Sequence, residues 1–148
     1  MRPLASTDYF RGHLSVLTVL SVVGEPSEAA WVSHFNFQRT CPKTYYSVVV
    51  LDRNSDKIVG LGTVFIERKF LHALGSVGHI EDIAVDKNQQ GKKIGLRIIQ
   101  ALTNISENSG CYKTILNCSN DNIRKSIFDR LPVHLLTLSK LSMRNAVI

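Results

Sequence analysis

The sequence predicts an α/β fold that contains an antiparallel hairpin and a strand–loop–helix unit. Three observations carry this. Gly78 to Val85 is an apolar run with strand character that passes through Asp86-Lys87-Asn88 and a glycine-bearing loop into a helix, whose stripe is Ile94, Ile98, Leu102 and Ile105. Tyr45 to Leu51 and Lys57 to Glu67 read as two strands joined by the polar loop Asp52 to Asp56, an antiparallel hairpin. Tyr112 to Cys118 reads as a further strand, after Asn108-Ser109-Gly110 closes the long helix. A chain of 148 residues suits one domain.

The remaining elements follow in order. Met1 to Leu4 has the look of a strand stub. Thr7 can cap a helix, with Asp8 favouring its positive end; Phe10, Leu14, Leu17 and Ser21 share one face, and Gly24 ends it. A second helix is expected from about Ser27 to Phe37, with Trp31 as a packing residue. Gly60 and Gly62 should weaken or bulge the second hairpin strand. Lys69-Phe70-Leu71-His72 and Gly75-Ser76 connect it to the next.

Composition narrows the function. Most of the net charge of +6 sits beyond Ile123, where Arg124, Lys125, Arg130, Lys140 and Arg144 face Asp129 alone. Without an aromatic-rich sheet, a basic tail is a poor basis for nucleic-acid binding. No apolar run reaches membrane-spanning length and no signal pattern opens the chain, so a cytoplasmic protein without a membrane partner is expected. Cys41, Cys111 and Cys118 lack metal spacing and read as reduced thiols packed in the core. No metal is expected.

The loop Gln90-Gly91-Lys92-Lys93-Ile94-Gly95 precedes a helix, whose first N–H groups have no helical acceptor and attract anions. Two lysines add charge. It is neither a Walker A loop nor G-x-G-x-x-G. Glu81 and Asp82 lie side by side in an apolar strand. Strand alternation sends them to opposite faces, which excludes a paired-carboxylate site, and their charge points to a solvated cleft along this strand.

Residues 14 to 122 resemble the GCN5-related N-acetyltransferase family, and within it the branch that acetylates glucosamine 6-phosphate. The resemblance rests on Gly78 to Val85, on the Q/R-x-x-G-x-G/A loop at Gln90, and on Gly110-Cys111-Tyr112-Lys113 through Asn122. It implies that family's fold for residues 1–122, a mixed, mostly antiparallel central sheet flanked by helices, with a truncated first strand, followed by a divergent basic tail at 123–148. It also implies acetyl transfer from acetyl-CoA to the amine of D-glucosamine 6-phosphate, feeding UDP-N-acetylglucosamine synthesis, by a homodimer. Acetyl-CoA would lie against Ile83, Ala84 and Val85 and on the loop and helix start Gln90, Gly91, Lys92, Lys93, Ile94, Gly95 and Leu96. The sugar phosphate would meet Ser21, Lys69, Phe70, Leu71, His72, Glu81, Asp82, Ile83, Leu102, Thr103 and Asn117. Catalytic roles fall to Glu81, Asp82 and Asn117, the last standing where relatives carry an acid; His79 reads as structural rather than as a base.

After Asn122 the family pattern stops. Ser126 stands where a tyrosine would protonate the departing thiolate, and the closing strands are expected to be lost or altered. Leu135, Leu138 and Leu141 give a weak helical period instead. A shifted reading frame or an unremoved intron would explain the break. The competing readings are an impaired acetyl-CoA binder or nonfunctional gene product, and an acetyltransferase for another amine.

Overall fold

The computed structural model describes residues 1–118 and 136–140, with backbone alone for 117–118 and 136–140. Arg2–Pro3 form β1, and a single turn, α1, spans His13–Leu17. Glu28–Thr40 form α2, Tyr45–Leu51 β2 and Ile58–Arg68 β3. A turn, α3, spans Leu71–Leu74, and β4 spans Ser76–Val85. Ile94–Asn108 form α4, Cys111–Cys118 β5 and Leu136–Lys140 β6. The strands make one sheet in sequence order. β1 to β4 pair antiparallel, and β4–β5 and β5–β6 pair parallel.

The sheet is filled on two faces. One buries Ile98, Ile99 and Leu102 of α4 against Val48, Val64, Ile66, Ile80 and Leu116. The other buries Val16 of α1 against Val49, Ile58, Leu61 and Ala84. The α4 stripe predicted from Ile94, Ile98, Leu102 and Ile105 is the face that packs. Trp31 is buried as a packing residue, stacked on Phe35 at 5.7 Å. Ser27 caps α2 by accepting the Ala30 N–H at 3.3 Å, and the helix runs three residues beyond Phe37.

Several expectations change. The single helix predicted from Thr7 to Gly24 is a 3-10 turn, Ser6–Tyr9, followed by α1. Gly12 sits between them at φ 84, a left-handed residue that ends one turn and starts the next. The capping role falls to Asp8, whose carboxylate accepts the Ala5 N–H at 2.8 Å, rather than to Thr7. Phe10 is exposed, and Ser21 lies beyond α1. Cys111 is buried, but Cys41 is only half-buried and outside the core. Leu138 lies in β6, so this stretch is a strand rather than a helix, and a strand does follow β5. Ser126 and the rest of the tail lie outside the described residues.

Asp8 anchors the N-terminal segment. It is fully buried and accepts two 2.7 Å hydrogen bonds from the Arg2 guanidinium, with Arg11 at 3.5 Å. Burial alone would raise its pKa. The Arg2 and Ala5 hydrogen bonds and the two arginine charges outweigh that and hold the carboxyl below its ordinary value. Arg11 also reaches Asp56 at 2.9 Å, tying this segment to the β2–β3 loop.

Candidate active site

β4 is the strand around which the site forms. Its ladder to β5 ends at Ile80–Leu116. From Glu81 to Val85 it continues with β3, as far as Val85 opposite Gly60. Among the described strands, Ile83, Ala84 and Val85 have no ladder partner on the β5 side. The β4–β5 ladder therefore stops short of the sheet end where the Val85–Lys93 loop leads into α4.

A bulge shapes this end of β4. Thr63 faces Glu81 and Leu61 faces Ala84, so Gly62 opposes two residues, Asp82 and Ile83. Asp82 takes up the extra length at φ 56. Gly62 leaves room for this: a Cβ there would lie 2.5 Å from Ile83 Cδ1. The bulge breaks strand alternation. Ile80 and Ile83 both pack on the α4 side, and Ala84 faces α1. Strict alternation therefore does not carry through the bulge at Asp82 and Ile83. Asp82 is exposed, and its charge reaches His13 at the start of α1.

His13 is half-buried. Its Nδ1 accepts the Trp31 Nε1–H at 3.3 Å, and the rings meet edge to face at 5.4 Å. Burial lowers its pKa against the opposing charges of Asp8 and Asp82. The neutral imidazole with a free Nδ1 lone pair is the form this contact requires.

The loop before α4 has the properties of an anion cradle. Asp86 accepts the Asn88 N–H at 2.7 Å and turns the chain. Gln90 donates its side-chain amide to the Val85 carbonyl at 3.3 Å, tying the loop to the strand end. Gly91 lies at φ 81, where an added Cβ would meet no atom within 4 Å, and Lys93 is left-handed at φ 61. The first bond into the helix is Arg97 N–H to the Lys93 carbonyl, at 3.2 Å. The amides of Ile94, Gly95 and Leu96 thus sit in the first turn, where a helix supplies no acceptor. Gly91, Lys92 and Lys93 are exposed around them.

The structure brings Glu81, Asp82, Ile83, Ala84 and Val85 together with Gln90 to Leu96 at one end of the sheet. It does not bring Leu102 and Thr103 there. Leu102 is 0% exposed under the sheet, and Thr103 is buried beside it with its hydroxyl unbonded, so neither reaches a sugar in a cleft. Ser21 and Lys69 to His72 lie on two connections. Phe70, Leu71 and Leu74 are exposed, while His72 packs its ring on Tyr112 at 4.2 Å. The Asn117 side chain lies outside the described residues.

One group went unnoticed in the sequence. Glu67 bridges Lys69 Nζ and His79 Nε2, the latter at 2.9 Å. A Glu-x-Lys spacing where a strand runs out is the signal for part of it, since residues two apart in extended chain share a face. His79 joins only through the β3–β4 register. Among the described residues no cluster of three His, Cys, Asp or Glu side chains could hold a metal. Among them also, no helix is long and apolar enough to cross a membrane.

Comparison with known proteins agrees with this geometry. Residues 10–125 match the acetyltransferase (GNAT) family. The chain is 40% identical over 122 residues to the glucosamine 6-phosphate N-acetyltransferase of Candida albicans, covering 82% of this chain and 81% of that one. It is 38% identical over 137 residues to glucosamine 6-phosphate N-acetyltransferase 1 of Dictyostelium discoideum, covering 90% and 87%. The crystal structure of glucosamine-6-phosphate N-acetyltransferase from Arabidopsis thaliana superposes with a TM-score of 0.80 at 35% identity, over 82% of each chain.

Proposed function

The chain belongs to the acetyltransferase (GNAT) family, and from that premise we propose that it moves acetyl from acetyl-CoA to the amine of D-glucosamine 6-phosphate. The observation that carries this reading is the end of the β4–β5 ladder at Ile80–Leu116, beside the first turn of α4. A strand edge without a partner can hydrogen-bond an extended amide chain, and a helix start can hold phosphates.

In this reading the pantetheine arm of acetyl-CoA lies along Ile83, Ala84 and Val85. Its pyrophosphate sits on the amides from Gly91 to Leu96, with Lys92 and Lys93 beside it. The sugar amine enters near Glu81 and Asp82 and gives up a proton to a carboxylate, a backbone carbonyl or water. The amine nitrogen then attacks the thioester carbon. A β4 amide stabilises the oxyanion that forms. Collapse breaks the C–S bond, and CoA leaves as a thiolate. A thiol with a pKa of about 8.5 is a competent leaving group, so a phenolic acid in place of Ser126 is an aid rather than a requirement. Residues 1–122 act as the transferase domain, with 123–148 as a basic tail. The working unit in this reading is a homodimer in the cytoplasm; among the described residues, Cys41 and Cys111 are free thiols, as a reducing compartment would keep them.

The test is thiol release from acetyl-CoA by purified protein, with glucosamine 6-phosphate and with glucosamine. Release with the phosphorylated sugar is expected. Release with glucosamine alone would overturn the substrate, and saturable acetyl-CoA binding without release would overturn the transfer. Backbone resonances of Gln90 to Leu96 should move on acetyl-CoA titration; resonances that stay put would remove the cradle itself.

A further inference from the structure

Glu67 occupies an unusual place on the sheet. It lies on β3 one step diagonally from His79 on β4, because Phe65 is paired with His79. Each of its carboxylate oxygens holds a different cationic or imidazole group: Oε1 meets Lys69 Nζ, and Oε2 meets His79 Nε2 at 2.9 Å. The arrangement is built rather than incidental. The Phe65 ring lies flat on the His79 imidazole, at 4.6 Å and 6°, and fixes its plane. The Lys69 N–H bonds the Gly75 carbonyl at 2.8 Å, which anchors the backbone under the ammonium group. All three side chains still reach solvent, at 39%, 33% and 19% exposure for Glu67, Lys69 and His79.

Two oxygens shared between an ammonium and an imidazole are also what a phosphate monoester offers. His79 and Glu81 are two residues apart before the bulge and share a face, a span of about 6.6 Å along the strand. That is comparable to the reach of a hexosamine from its amine side to its 6-phosphate arm. Resting on the glucosamine 6-phosphate reading above, we propose that Glu67 is the intramolecular competitor for the substrate's phosphate. In the unliganded chain its carboxylate holds Lys69 and His79 in place. The phosphate of the sugar takes both partners, and Glu67 turns out to solvent. When the acetylated product leaves, Glu67 returns. The residue thereby sets affinity for the phosphorylated substrate and speeds release of a product that carries the same phosphate.

Charge supports this exchange. The hydrogen bonds from Lys69 and then from His79 hold the Glu67 carboxyl below the ordinary carboxylate range, so it is ionised at neutral pH. A phosphate monoester, with its second pKa near 6, carries up to two charges and three acceptor oxygens, and it outcompetes one carboxylate.

The experiment is Glu67→Gln, which keeps the shape and removes the charge. KM for glucosamine 6-phosphate should fall about 2- to 5-fold, the size of one partly exposed ion pair. Inhibition by inorganic phosphate should tighten by the same factor, and KM for glucosamine should not change. Glu67→Asp, which keeps the charge, should stay near the parent. An unchanged or raised KM for glucosamine 6-phosphate overturns the proposal, as does an equal change for both sugars. If the parent releases no thiol with glucosamine 6-phosphate, the function reading fails by itself. The competitor is then judged by titrating inorganic phosphate against the His79 imidazole nitrogen resonances: tighter binding in Glu67→Gln supports it, and equal binding overturns it.

Discussion

Gly62→Ala tests how the bulge and α4 depend on one another. An added Cβ would lie 2.5 Å from Ile83 Cδ1, 2.8 Å from Ile98 Cγ2 and 3.0 Å from Leu102 Cδ1. Carbon pairs rest at about 3.5–4.0 Å, so all three contacts are short, by up to about 1 Å. Ile83 Cδ1 can swing away. Ile98 Cγ2 cannot, because a β-branched residue in a helix has one strongly preferred rotamer. Either α4 lifts or the bulge shifts. Overpacking of this kind costs about 1–3 kcal/mol, and three contacts place it near ~2. Urea unfolding should show a midpoint lower by roughly 1 M, at a slope of roughly 1–3 kcal/mol/M. Ile83→Val removes the nearest atom. In the parent it should cost about 1 kcal/mol; in Gly62→Ala it should cost nothing, a coupling of about 1 kcal/mol. A Gly62→Ala protein within about 0.5 kcal/mol of the parent, or a strictly additive double variant, would refute the reasoning.

The buried charges set two pH dependences. Asp8 has a depressed pKa in the folded chain, so its stabilisation is complete above the ordinary value of 3.8 and disappears as pH falls through the lower folded value. Asp8→Asn should lose about 2 kcal/mol at pH 7 and flatten the acid limb of a stability–pH curve; an unaltered limb would count against the Arg2–Asp8 anchor. His13 is also depressed, so the unfolded chain takes up its proton first and stability falls as pH drops below 6.5. Protonation removes the acceptor for Trp31, the one tryptophan in the chain, so its fluorescence should titrate with a midpoint under 6.5 and lose that transition in His13→Phe. A midpoint at or above 6.5 would contradict the burial argument.

The sequence by itself determined the order of elements wherever neighbouring residues decide the conformation. The aromatic and β-branched run Tyr45–Leu51 is β2 as expected, the apolar stripe from Ile94 is the packed face of α4, and Gly110 follows that helix at φ 77. The loop at Gln90 that leads into the start of α4 was also legible, because turn chemistry and a helix start are local properties. Only the tertiary structure decided the rest. Whether β4 bulges depends on Gly62 in another strand, so the left-handed Asp82 has no local signature. The break at Gly12 interrupts a periodicity that alone favours one long helix. Leu102 and Thr103 are burial questions, settled by which side of α4 meets the sheet. Glu67 meets His79 across twelve residues of chain through strand register, and register is a relation between segments that no single segment encodes.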